Sequence, residues 1–318
     1  MRITWIVTMV FAVILLGVVP GTAFAQESSS ATVSSETEVK QMWHKAPKGL
    51  VSTKGTQELE GPIDGKIELK YSFETFKNLE RPNGRSGYAD RQIYTGEGEL
   101  SFVLNPDGAK SGGNPYRLGV SGLFEEAQGR YSHGIDLFNY TRTGGQAFLD
   151  IRSSEAISGA LSYHLRIGAG AIYLEHGKIS SVQGYFSLNA EIGYRLGSNW
   201  GLIAGFESDL QLGEHSSAWL DGELSAGIQV VTENVTLDFR GLLSAYDRDS
   251  NTVTGNFQKV EHERLHPGVQ AKLLLFGSIS VYARYTWGRD RFKIDTPTRS
   301  FSDDSYGESF EGGIALYF

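Results

Sequence analysis

From Lys66 onward the chain alternates between apolar and polar residues. Ile67, Leu69, Tyr71 and Phe73 interleave with Glu68, Lys70, Ser72 and Glu74. Phe186, Leu188, Ala190, Ile192 and Tyr194 interleave with Ser187, Asn189, Glu191 and Arg195. Leu224, Ala226, Ile228 and Val230 interleave with Glu223, Ser225, Gly227 and Gln229. A period of two gives a strand one apolar and one polar face. After residue 65 no stretch sustains the i, i+3, i+4, i+7 repeat of an amphipathic helix, so little helix is expected. The pattern predicts antiparallel strands at 65–77, 92–104, 114–125, 145–153, 158–174, 181–196, 199–211, 217–231, 234–246, 263–276, 278–291 and 304–318.

These strands approach or exceed the roughly 9–11 residues that a tilted strand needs to cross a bilayer. Most are longer than the usual soluble strand of about 5–6 residues. Tight turns at Gly197-Ser198-Asn199, Thr232-Glu233-Asn234 and Phe276-Gly277-Ser278 alternate with polar stretches at 247–262 and 292–303, which read as long loops. Tyr194 and Trp200 flank a tight turn on the apolar face, with Phe186 and Phe206 toward the opposite rim. Tyr116 with Phe124, and Tyr163 with Tyr173, repeat that spacing, while Tyr285 and Trp287 belong to the outer rim. Two aromatic belts roughly 20–25 Å apart are those of a lipid-facing band. The expected fold is all-β, a closed antiparallel transmembrane β-barrel of about 12 strands. Fourteen strands result if Ile135–Tyr140 and Leu50–Leu59 also pair; with twelve, 126–145 is a long surface excursion.

The N-terminus reads as an address. Arg2 supplies a positive start, Ile6–Val19 is an apolar run too short to span a membrane as a helix, and Ala23-Phe24-Ala25 forms a small-x-small cleavage site before Gln26. Residues 1–25 are therefore expected to be a signal peptide and 65–318 the barrel. Between them, 26–64 is a periplasmic segment too polar to offset its own ordering entropy, with Trp43 its one large apolar residue. A docked segment anchored by Trp43, inside or beneath the barrel, is the alternative.

The chain ends Glu311-Gly312-Gly313-Ile314-Ala315-Leu316-Tyr317-Phe318. With Gly313, Leu316 and Phe318 in the motif positions, this resembles the C-terminal insertion signal of Gram-negative outer-membrane β-barrel proteins; Glu311 is a mild departure. The resemblance is to a class and identifies no individual family. It implies the cell outer membrane of a Gram-negative bacterium, insertion by the barrel-assembly machinery, and outer-membrane lipid as surroundings.

Composition narrows the chemistry. Cysteine is absent, which removes disulfides, thiolate metal sites, a Cys nucleophile and a lipidated N-terminal Cys. Against 37 acidic residues stand 29 Lys and Arg, a formal charge of −8; losing Arg2 leaves 28 and a mature charge of −9. Such a chain offers no basic face for nucleic acid. Alternation sends the polar face inward, placing Arg166, Glu191, Arg195, Glu207, Glu223, Asp238, Arg240 and Arg284 along a lumen. Arg166 is expected beside Glu191, and Asp238 with Arg240 beside Glu223. Buried charges of this kind must be paired or hydrated.

Catalytic signals are thin. His262-Glu263-Arg264-Leu265-His266 matches H-E-x-x-H. Pro267 opposes the helix that motif requires, and on a strand the two histidines stand about 13 Å apart, so a loop or rim pair is expected instead of a zinc site. Glu175-His176 and Glu214-His215-Ser216 fall in predicted outer loops, while Gly168-Ala169-Gly170 lacks the rest of a dinucleotide fingerprint. No catalytic, cofactor or metal residues are assigned. The expected function is a small channel or export pore with a mixed-charge lumen, whose acid excess favours small cationic or neutral solutes. The alternatives are an outer-rim hydrolase acting on lipid or peptide, and a structural or adhesive barrel with a closed, salt-bridged interior.

Overall fold

The computed structural model describes residues 63–80, 86–104, 116–130, 139–152, 161–176, 179–213, 218–232, 235–254, 256–276, 278–295 and 300–318. They belong to the unit Pro47–Phe318. Among them every regular element is a strand: β1 (Ile63–Glu80), β2 (Ser86–Val103), β3 (Tyr116–Arg130), β4 (Tyr140–Arg152), β5 (Leu161–His176), β6 (Ile179–Arg195), β7 (Trp200–Leu212), β8 (Ala218–Val231), β9 (Val235–Thr254), β10 (Asn256–Leu275), β11 (Ile279–Asp295) and β12 (Ser300–Tyr317). The expected signal peptide, the segment 26–62 with Leu50–Leu59, and most of Ile135–Tyr140 lie outside the described residues.

Each strand pairs antiparallel with its sequence neighbours, and β1 with β12 closes a barrel of twelve strands, as the alternation predicts. The register row through Lys70 meets β6 at Ser181 in one direction and at Arg195 in the other, a stagger of 195 − 181 = 14 residues. Fourteen residues of stagger over twelve strands tilts the strands by about 40°. The barrel has a terminal end, where Ile63 and Phe318 lie, and a distal end opposite. At the terminal seam the Gly65 amide donates to the Phe318 carbonyl at 2.7 Å and the Phe318 amide returns a bond to the Gly65 carbonyl at 3.0 Å. A side chain on Gly65 would run into the Phe318 ring, which would have to shift to admit it.

The connections differ from expectation. The stretches 247–262 and 292–303 are not long loops: only residue 255 separates β9 from β10, and only 296–299 separate β11 from β12. Likewise 126–145 is mostly strand, leaving 131–139 as the connection. Of the three longest connections, 104–115 and 153–160 sit at the terminal end among the tight turns, and 131–139 at the distal end. The cause lies beyond the membrane, where a strand is polar on both faces and carries no hydrophobic period. Cross-strand ion pairs hold it instead: Lys77–Glu308 at 2.7 Å, Lys293–Glu261 at 3.2 Å, Arg291–Glu263 at 3.8 Å, and Arg289–Asp304.

Outward positions form a continuous apolar belt including Ile67, Leu69, Leu100, Val120, Ile167, Leu202, Ile228, Leu237, Val281 and Ile314, all exposed. An apolar surface of this extent has no place in water and faces lipid. Tyr116, Tyr194, Trp200 and Phe318 edge it at the terminal end; Tyr71, Tyr94, Phe124, Tyr173, Phe186, Tyr285 and Phe310 edge it distally. Ile167, 53% exposed, lies between Tyr163 and Tyr173 near the middle of the belt. Ile167→Arg should cost about 2–4 kcal/mol in urea unfolding from lipid vesicles, the penalty of a guanidinium at the bilayer midplane. A cost near zero would place this face in water.

Candidate functional site: the barrel interior

All eight residues expected along the lumen are on the inward face. Glu191, Asp238 and Arg240 are buried, Arg166, Arg195, Glu223 and Arg284 are partly buried, and Glu207 is exposed to an internal cavity. The pairings differ from those expected by neighbourhood. Arg166 forms an ion pair with Glu99 at 2.8 Å, Glu191 receives Arg240 at 2.8 Å, and Glu223 pairs with Arg284. Glu223 lies opposite Glu207 and Ser244 in register, while Asp238 and Arg240 lie opposite Gln229 and Gly227. These ion pairs, with Arg264–Glu74 at 2.6 Å, each join strands three places apart around the wall. An arginine therefore reaches a quarter of the way round the wall, and reach rather than sequence adjacency selects the partner.

Register and tilt divide the interior into three levels. The terminal level is charge-balanced. Arg240 bonds Asp238 at 2.7 Å as well as Glu191, His164 meets Asp150 at 2.9 Å, and Arg117 pairs with Asp64. The Arg166 guanidinium also lies 3.5 Å over the Phe148 ring.

The middle level, beside Tyr71, Tyr285 and Phe310 on the outer wall, carries Glu97, Glu207, Asp209, Glu223 and Glu311 against Lys70 and Arg284. All seven line one cavity of about 290 Å³. A second cavity of about 180 Å³ shares Lys70, Glu97, Glu207 and Asp209 with it. On the β7–β8 pair Glu207 stands opposite Glu223 and Asp209 opposite Asp221, two like-charge pairs in successive inward positions. Directly opposed like charges repel, so each needs help from elsewhere. Arg284 serves Glu223, Arg248 serves Asp221 through bonds of 2.6 and 2.9 Å, Asn189 donates to Glu207 at 2.6 Å, and Tyr185 hydrogen-bonds Asp209. Lys70 bonds Glu97 at 2.6 Å and the Tyr282 hydroxyl donates to Glu311 at 2.9 Å. Five carboxylates thus face two cations, making an acidic waist.

The distal level lies past the outer aromatics: Glu74 and Phe76 beyond Tyr71, Arg91 beyond Tyr94, Asp290 beyond Trp287. Its hub is Asp290, with no exposed surface. One carboxylate oxygen takes His262 Nε2 at 2.8 Å and Arg264 Nε at 2.8 Å, and the other takes His266 Nε2 at 2.8 Å. An ionised carboxylate only accepts, so both histidines carry a proton on Nε2. The Tyr246 hydroxyl, 3.1 Å from His262 Nδ1, can then donate to it. The H-E-x-x-H stretch is therefore strand, as Pro267 implies, but its histidines are not at a loop or rim. Both point inward, buried, and share one carboxylate. Gly307 and Gly288 leave the room: a side chain on Gly307 would meet Asp290 Oδ2, and one on Gly288 would press His266. Gly307→Val should cost about 1–3 kcal/mol, the usual penalty for overpacking, read as a lower urea midpoint for the refolded barrel; an unchanged midpoint would mean that the carboxylate has room to move.

Four aromatic rings and four guanidiniums interlock at this level, with Phe292 against Phe76 at 5.5 Å and stacked on His262 at 4.0 Å. Arg91 is 5.8 Å from the Phe76 ring and 6.0 Å from the Tyr140 ring, and Tyr140 meets Trp219 at 5.3 Å. Arg248 lies 4.8 Å from Trp219 and 4.3 Å from Tyr246, while Arg264 lies 4.6 Å from Tyr246 and 5.7 Å from Phe76. Arg142 adds a contact of 5.4 Å to Trp219. The contacts close into a ring across the lumen. Sequence reading missed this ring, Asp290 included. Its available signal was aromatic residues in polar parity, such as Phe76 following Ser72 and Glu74.

Glu175 and His176 end β5, with Glu175 exposed, whereas His215 and Ser216 lie outside the described residues. The chain matches no family model and no curated protein. Among solved structures, an outer membrane channel from Pseudomonas putida F1 has a TM-score of 0.52 at 10% identity, covering 84% of this chain and 100% of that one. The beta domain of the Bordetella autotransporter BrkA gives a TM-score of 0.46 at 13% identity, covering 80% and 99%. The fold of this chain is that of the outer-membrane β-barrels.

Proposed function

We propose that this chain is an outer-membrane channel passing small cationic or neutral solutes, with the middle level as its selective zone. The acidic waist carries the reading: five carboxylates against two cations around a cavity, between levels in which charges balance. Water-filled space bounded by low-dielectric walls focuses such an excess, drawing in cations and holding off anions. Likeness of fold to an outer membrane channel agrees with this reading. Purified protein in planar bilayers under a KCl gradient should show steps with a cation-selective reversal potential. Glu207→Gln with Glu223→Gln should move that potential toward zero, since the waist would then carry three carboxylates against two cations. If no steps occur, and none after deleting 26–60, the channel reading fails.

A second reading draws on the charge-balanced levels above and below the waist. Buried ion pairs that span the lumen also suit a barrel whose interior serves only to hold its wall together. That barrel would pass no current, whichever inward residue is changed.

A further inference from the structure

We infer that the aromatic–guanidinium ring at the distal level is a side-chain gate, with Trp219 as its moving part. The inference rests on the channel reading and adds where and how the path closes. The ring forms the roof of the acidic chamber: Glu74, Arg91, Tyr140, Tyr246, Arg248 and Arg264 line the larger cavity from its distal side. Its members come from β1, β2, β4, β8, β9 and β10, so it spans the lumen instead of following one wall. Trp219 and Tyr140 stand on strands four places apart and meet edge to face, at 78° between ring planes. Ala127 and Leu174 pack with them, and Trp219 and Phe76 are almost wholly buried.

Arg264–Glu74 is one ion pair at this level that joins strands three places apart; what distinguishes Trp219 is the kind of contact it makes. At the terminal level the crossing contacts include Arg240–Glu191 and Arg166–Glu99, and separating either would strand buried charges. Distally, the guanidiniums that touch Trp219 each keep a carboxylate on a neighbouring strand. Arg142 bonds Glu125 at 3.0 Å and Arg248 bonds Asp221 at 2.6 Å. Trp219 can therefore swing away from Tyr140 without breaking an ion pair. Among the contacts it gives up are the edge-to-face contact with Tyr140 and the cation–π contacts with Arg142 and Arg248, which are weak and only loosely directional. Opening thus needs a rotamer change on a fixed wall.

The chain has no cysteine, so one introduced thiol is a unique reporter. Ser244 faces the chamber below the ring. In a Ser244→Cys chain reconstituted in vesicles, a small cationic methanethiosulfonate added from the distal side should react slowly. Adding Trp219→Ala should accelerate the reaction tenfold or more, and Tyr140→Ala, four strands away, should do the same. Trp219→Phe, which keeps a ring in place, should stay within about twofold of the parent. Heat-modifiable migration on gels identifies folded barrels, and the two alanine variants give independent opportunities to obtain one. Equal rates in parent and folded alanine variants, whether fast or slow, overturn the gate. Failure of the channel reading looks different: the alanine variants expose the thiol, yet neither they nor the parent conduct.

Discussion

Asp290→Ala should destabilise the barrel by about 3–5 kcal/mol, the cost of removing one partner from a buried charge cluster. Arg264 would keep Glu74, but one guanidinium face would lose its anion, and both buried histidines would lose the acceptor that fixes their Nε2 protons. Urea unfolding in lipid vesicles, followed by tryptophan fluorescence, measures it. Asp290→Asn retains an acceptor oxygen and should lose less than the alanine variant. A loss under 1 kcal/mol for Asp290→Ala would mean that water replaces the carboxylate and that the distal level is hydrated, not packed.

Arg240→Met is expected to have an effect of the same size at the terminal level, about 3–5 kcal/mol, by leaving Glu191 and Asp238 facing each other without their shared cation. Replacing all three with apolar residues of similar volume should recover most of the loss, because a fully apolar cluster strands no charge. Arg289→Ala, at an exposed distal ion pair, should leave the unfolding curve unchanged. If Arg240→Met were equally silent, the interior pairs would be as solvated as the surface ones.

The wall of the barrel was legible because lipid enforces the alternation. Ile67 and Leu69 must face out for the same reason that Glu68 and Lys70 must face in, and a one-residue slip would reverse both. By the same parity the eight chosen charged residues share the inward face with Glu68 and Lys70. It failed where lipid ends, so the distal parts of β9, β10 and β11 read as loops although cross-strand ion pairs keep them extended. Partners in the lumen were hidden for a geometric reason. Arg284 and Glu223 lie on strands three apart, and the stagger of the barrel fixes their relative height. The histidines of His262–His266 stood out in sequence, but Asp290, which joins them, lies on the next strand and belongs to no motif.

The opposed carboxylates on β7 and β8 also bear on the order of assembly. Taken alone, that hairpin places Glu207 against Glu223 and Asp209 against Asp221, so its own side chains push its strands apart. The guanidiniums that relieve this belong to later strands, Arg248 on β9 and Arg284 on β11. A nascent β7–β8 hairpin is therefore a poor nucleus, helped by Asn189 and Tyr185 of β6 but without a countercharge until the C-terminal strands arrive. The last quarter of the polypeptide is thus required twice: to close the hydrogen-bonded wall, and to neutralise a pair of strands made before it.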